Sequence, residues 1–91
     1  MFGTDFCGKK RFYVKGTEED AKRFTVDLAW YHSAVADFGS INRMNDDSVV
    51  INLIVKPETY RDDEFTEKKL RDMAKKFNCI GFTSFEELKE H

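Results

Sequence analysis

The spacing of apolar residues along the chain switches between steps of two and steps of three and four, and each switch marks an element. Arg11-Phe12-Tyr13-Val14-Lys15 is short, aromatic and β-branched and runs into Gly16, which predicts a first strand. Thr17 follows as a helix cap, with Glu18, Glu19 and Asp20 at the positive end of the helix dipole. Ala21, Phe24, Leu28, Tyr31, Val35 and Phe38 then recur at three- and four-residue steps, within an arc of about 100°. This spacing predicts a helix reaching Phe38 with that stripe buried, and Gly39 as its left-handed terminator.

Ser40-Ile41-Asn42-Arg43-Met44 and the longer run from Val49 to Lys56 flank the turn residues Asn45-Asp46-Asp47-Ser48, the pattern of a hairpin, and Pro57 ends its second strand. Alternation places Val49, Ile51, Leu53 and Val55 on the core face of that strand and Val50, Asn52, Ile54 and Lys56 on the other. After a loop through Tyr60, Arg61, Asp62 and Asp63, a second helix buries Leu70, Met73, Ala74 and Phe77 and ends near Asn78. Thr66 would cap it, with Phe65 stapled onto Leu70; Asp62 or Asp63 is the alternative start. Cys79-Ile80-Gly81-Phe82-Thr83 reads as a short strand, and Ser84-Phe85-Glu86-Glu87 is a capping box that opens a last helical turn through Leu88.

The expected order is strand, helix, strand, strand, helix, strand. In an α+β protein this is the ferredoxin-like split βαββαβ arrangement, with two helices on one face of a four-stranded antiparallel sheet. A helix–sheet sandwich with differently paired strands is the alternative. The chain is expected to form one domain over residues 1–91, with residues 1–10 as an arm that is either mobile or laid over the rest.

Composition adds limits rather than a function. Hydrophobic residues make up 41% of the 91 positions and nine are Phe, enough for a small core without a metal or disulfide staple. Fifteen Lys and Arg against 17 Asp and Glu leave a net charge of -2, which argues against disorder, a polybasic arm and an acidic nucleic-acid mimic. Cys7 and Cys79 form no C-x-x-C pair, so two free thiols in a reducing cytoplasm are expected. The N-terminal residues lack a signal-peptide pattern, and the run from Val49 to Val55 is far short of the roughly 20 apolar residues that span a bilayer.

Catalytic chemistry finds little support. The loop Lys15-Gly16-Thr17-Glu18 has neither the C-x-x-C of copper carriers nor the arginine that grips phosphate in acylphosphatases of this fold. Phe12-Tyr13-Val14-Lys15-Gly16 resembles the shorter motif of RNA-recognition modules, and Ile80 to Phe85 loosely resembles the longer one. The longer motif belongs on the third strand, however, where Val50, Asn52 and Ile54 offer no aromatic. No family is assigned on this basis. His32 sits beside the buried stripe and reads as a packing residue, His91 is terminal, and Asp62-Asp63-Glu64 lacks the spacing of a Ca²⁺ loop. The expectation is no catalytic residue, no metal and no cofactor. Lys68, Arg71 and Lys75 are interleaved with Glu64, Glu67 and Asp72, whereas Lys9-Lys10-Arg11 has only Asp5 nearby.

Large apolar residues without a place inside point elsewhere. Val26 and Trp30 lie about 160° to 200° from Leu28, opposite the buried stripe, with Arg23, Asp27, Ser33 and Asp37 as a polar rim. Tyr13, Val50 and Ile54 would line the open face of the sheet. The functional expectation is a small intracellular protein-binding module that occupies a partner protein. It would act as an inhibitor or regulatory adaptor, of the kind phages direct at host enzymes, and self-associate as a homodimer. The alternative is a nucleic-acid-binding module using Lys9, Lys10, Arg11, Lys15 and Tyr13.

Overall fold

The computed structural model describes residues 2–56 and 62–90, so Pro57, Tyr60, Arg61 and His91 lie outside the described residues. Strand β1 (Arg11–Gly16) leads into helix α1 (Glu18–Tyr31), strands β2 (Ala36–Arg43) and β3 (Val49–Val55), helix α2 (Asp63–Lys76), strand β4 (Ile80–Phe82) and helix α3 (Phe85–Glu90). The protein is therefore α+β, with three helices and a four-stranded sheet in the order β2-β3-β1-β4. All three strand pairings are antiparallel.

One face of the sheet carries the core. Phe12 and Val14 of β1 lie opposite Leu53 and Ile51 of β3, and Phe24 and Leu28 of α1 pack on them with Leu70, Met73 and Ala74 of α2. The N-terminal arm belongs to this core too. Phe2 is only 6% exposed and meets the Phe12 ring edge-on at 6.2 Å. The Gly3 N–H donates to the Thr83 carbonyl and the Gly3 carbonyl accepts from Arg11 N–H, at 2.8 and 2.9 Å.

Local signals account for most element starts. The Thr17 hydroxyl accepts from Asp20 N–H at 3.2 Å, and the Ser84 hydroxyl accepts from Glu87 N–H at 3.1 Å. Asp62, not Thr66, caps α2: its carboxylate takes Glu64 N–H at 2.9 Å, while Thr66 is buried inside the helix and donates to the Asp62 carbonyl. Phe65 is consequently exposed and staples nothing. Asn78, with φ 59°, ends α2 in the left-handed region, and Cys79 N–H reaches the Ala74 carbonyl at 2.8 Å. The β2–β3 hairpin turns through Asn45-Asp46-Asp47, with Asp47 at φ 68° and Asp47 N–H donating to the Met44 carbonyl at 3.2 Å. The Ser48 hydroxyl and N–H donate to the Asp46 carboxylate and hold its pKa down at about 2.

The main correction concerns α1. It stops at Tyr31 rather than Phe38, and the Val35 N–H closes a turn onto the His32 carbonyl at 2.9 Å before β2 begins at Ala36. Tyr31 is thus exposed instead of buried, and Phe38 is a strand residue. Gly39 terminates no helix; it is the extra residue of a bulge where the β2–β3 register shifts between Phe38 and Ser40. A Cβ there would lie 2.9 Å from the Asn52 carbonyl oxygen, so glycine fits the close approach.

Candidate protein-docking surfaces

The outward side of α1 presents a concentrated group of exposed apolar side chains. Trp30 and Tyr31 are each 76% exposed and Val26 is 54% exposed. Trp30 follows Val26 by one helical turn, so the two side chains are neighbours on the helix surface. Val26, Tyr31 and Phe77 line a groove of about 410 Å³, flanked by Glu19, Lys22, Arg23 and Asp27. Phe77 belongs here because it caps the C-terminus of α2, and Lys76 lies over its ring at 5.4 Å. Both aromatic residues that line this groove escaped the sequence pattern, since Tyr31 and Phe77 sit on stripes that read as buried.

The expected polar rim comes together only in part. Arg23 lies beside the groove and pairs with Glu19 at 3.0 Å. Asp27 turns its carboxylate inward: the side chain is 13% exposed, 3.6 Å from His32 Nε2 and 4.0 Å from Lys76 Nζ. Its Oδ2 is buried without a hydrogen-bond partner. Ser33 lies in the turn after α1, and Asp37 is on β2, opposite Ile54 on the sheet face away from α1 and α2, where it pairs with Lys56 at 3.1 Å. The early end of α1 removes both from a shared helical face with Trp30.

A second cleft of about 450 Å³ separates α1 from α2 and is lined by Asp27, His32, Phe65, Met73 and three lysines, Lys68, Lys69 and Lys76, with Asp72. His32 is half-buried beside Asp27.

The sheet face expected to be open is half closed. Leu88 of α3 packs with Val50 and Phe82, Tyr13 joins the same cluster, and the Tyr13 and Phe85 rings meet edge-on at 6.3 Å. Val50 is therefore buried, and Tyr13 and Ile54 are half-buried. The capping box at Ser84 was legible, but not that its helix would fold across the sheet.

The basic cluster is also less available than its sequence context implies. Lys10 pairs with Asp63 of α2 at 2.6 Å, Arg11 with Asp5 at 2.6 Å, and Lys15 with Asp46 at 3.4 Å. Lys9 is exposed, and its N–H is bound by the Asp5 carboxylate. Asp5 also accepts from Cys7 N–H, and these contacts, led by that from Lys9, hold its carboxyl below the ordinary 3.8. Cations already neutralised within the chain release few counterions on meeting a phosphate backbone, which weakens the nucleic-acid alternative.

Cys7 is exposed and Cys79 buried, both as free thiols. Burial, with a smaller contribution from Asp20, pushes the Cys79 thiol up to about 11, so it packs as an apolar side chain rather than a nucleophile. Among the described residues, no group of three or more His, Cys, Asp and Glu side chains is placed to hold a metal ion. No described helix is long and apolar enough to cross a membrane. Comparison with family models, with curated proteins and with solved structures returned no match to this chain.

Proposed function

We propose that the chain is a protein-binding module that acts by occupying a partner protein, as an inhibitor or regulatory adaptor, and that it self-associates. The observation that carries this reading is the exposed cluster of Val26, Trp30 and Tyr31 around an apolar groove that ends on Phe77. Large exposed apolar groups grouped together, instead of scattered singly, mark interaction surfaces, and Trp and Tyr are the residue types most enriched at interface hot spots. The partner offers an aliphatic or aromatic side chain to the groove and a mixed-charge surface to Arg23, Glu19 and Lys22. Ser33 and Asp37 do not take part. The strand order β2-β3-β1-β4 with antiparallel neighbours supports reading the fold as the ferredoxin-like split βαββαβ arrangement, to which α3 adds a helix on the second face.

The test is quantitative capture of proteins from the native lysate by the wild type and by Trp30→Ala. Trp30→Ala is expected to lose at least about tenfold in capture of a defined partner, the size of a hot-spot truncation. Its stability should change by no more than about 0.5 kcal/mol, as for an exposed position. Equal capture by both proteins would sink the reading. The same samples titrated with a short RNA at low and high salt address the nucleic-acid alternative, for which tight, steeply salt-dependent binding would be the signature.

A further inference from the structure

The outer edge of β2 has its own geometry. At one end the Val35 carbonyl accepts from Lys56 N–H at 3.0 Å, and at the other Met44 N–H donates to the Ser48 carbonyl at 2.8 Å. In an antiparallel ladder the N–H and C=O of one residue point the same way and successive residues alternate. Counting inward from both ends through the partners Asp37 with Ile54, Ser40 with Asn52 and Asn42 with Val50, residues 37, 40 and 42 bond to β3. Ala36, Phe38, Ile41 and Arg43 therefore aim their backbone groups away from the sheet. The extra residue at Gly39 is what lets both Phe38 and Ile41 do so, and the four lie symmetrically about the Gly39–Ser40 peptide. Their side chains share the face of their partners Val55, Leu53, Ile51 and Val49, the face that α1 and α2 cover further in.

We infer that β2 is the contact surface between two copies of this chain, paired antiparallel about a two-fold axis at the Gly39–Ser40 peptide. Phe38 then lies opposite Ile41 of the partner subunit, and Ala36 opposite Arg43 of the partner subunit. The inference deepens the self-association named above and does not involve the α1 groove. In this register all four outward residues of one strand meet outward residues of the other, because the bulge takes up the extra residue and leaves the four in step. A register that sets Ala36 against Phe38 of the partner subunit engages only half of the edge.

The side chains agree with the backbone. Phe38 and Ile41, 41% and 61% exposed, face each other twice across the axis. On the opposite face Asp37 meets the amide of Asn42 of the partner subunit. No two like charges oppose each other, an arrangement that would destabilise a cross-strand pair. A two-fold interface requires one patch to be complementary to itself, and β2 meets that condition in both its hydrogen-bonding groups and its side chains.

The experiment combines sedimentation equilibrium with cross-linking. The wild type is expected to be dimeric at micromolar concentration. Ile41→Lys is expected to be monomeric with an unchanged circular dichroism spectrum and unchanged Trp30-dependent capture. In a Cys7→Ser background, Phe38→Cys mixed with Ile41→Cys should give a disulfide-linked pair under mild oxidation. Neither variant alone should do so, since only the mixed pair brings the two Cα atoms to about 5.5 Å. A wild type that stays monomeric into the millimolar range overturns the inference. So does a dimer that Ile41→Lys leaves intact, or a cross-link formed by either variant alone. None of these outcomes touches capture through Trp30, so this inference and the proposed partner surface fail separately.

Discussion

At the β4 edge of the sheet three strand residues are flanked by other groups of the chain that reach the carbonyls beside them; at the β2 edge eight residues run along the border with no further strand beyond them among the described residues. The Gly81 carbonyl accepts from Arg71 Nη1 at 2.9 Å, the Thr83 carbonyl from Gly3 N–H at 2.8 Å, and Thr83 N–H and hydroxyl donate to Glu87. Phe2 then seals the core beneath. On β2 only Ala36 is buried. An open strand edge is a template for pairing, so one border of this sheet is contacted by the chain's own groups and the other is left as a template. The difference teaches that exposure along β2 is not simple solvation, since Phe38 and Ile41 are apolar and lie on the helix-side face.

The comparison breaks most readily at the closed edge. Phe2→Ala removes a ring packed on Phe12 and should cost about 3–5 kcal/mol in urea unfolding, the usual range for a buried Phe. A loss below about 1 kcal/mol would make the arm an accessory, and the two edges would no longer differ in kind. A smaller and more pointed effect lies in β2. Asn42→Pro deletes an N–H directed at β3 and should lower the unfolding midpoint clearly, whereas Ile41→Pro deletes one directed at solvent and should leave the monomer close to wild-type stability. Equal losses would disprove the assignment of inward and outward residues.

The smallest effect separates the edges by pH. The folded-state pKa of Asp5 is depressed, so its contribution is fully present above the ordinary 3.8 and is lost as pH falls through the lowered value. Amide exchange at Cys7 and Lys9 should therefore accelerate in that acid window, while the amides of Asp37 and Asn42 hold their protection. Asp5→Asn should remove the pH dependence at the arm. Acceleration of all four amides together would mean that the arm and the sheet open as one unit.

Much of this architecture was legible because local and long-range signals agree. Thr17 and its three following carboxylates start α1, alternation in β3 sorts Val49, Ile51, Leu53 and Val55 onto the core, and Leu70, Met73 and Ala74 mark the inner side of α2. Ser40 to Arg43 were legible as the first arm of the hairpin, but the start of β2, Ala36 to Gly39, was not. Val35 and Phe38 happen to continue the helical spacing of Leu28 and Tyr31, and an edge strand with only Ala36 buried keeps too little alternation to outweigh it. Misplacing that boundary put Ser33 and Asp37 beside Trp30. The sheet-face surface of Tyr13 and Val50 was overestimated because a capping box announces that a helix starts, not what it will lie against. Paired cations were missed for a similar reason: Asp63 and Asp46 reach Lys10 and Lys15 only after the chain has folded back.

The single extra residue at Gly39 also decides which residues reach the border. β3, which carries no extra residue, runs past Gly39 without losing step, with Phe38 on Leu53 and Ile41 on Ile51, so the bulge changes the phase of β2 and not the spacing of its bonding groups. Without it Phe38 and Ile41 would aim their backbone groups to opposite sides; with it both reach the border. Since β2 and β4 are the two borders of the described sheet, pairing of the proposed kind through β2 alone has one valence and would stop at two copies rather than grow a fibre.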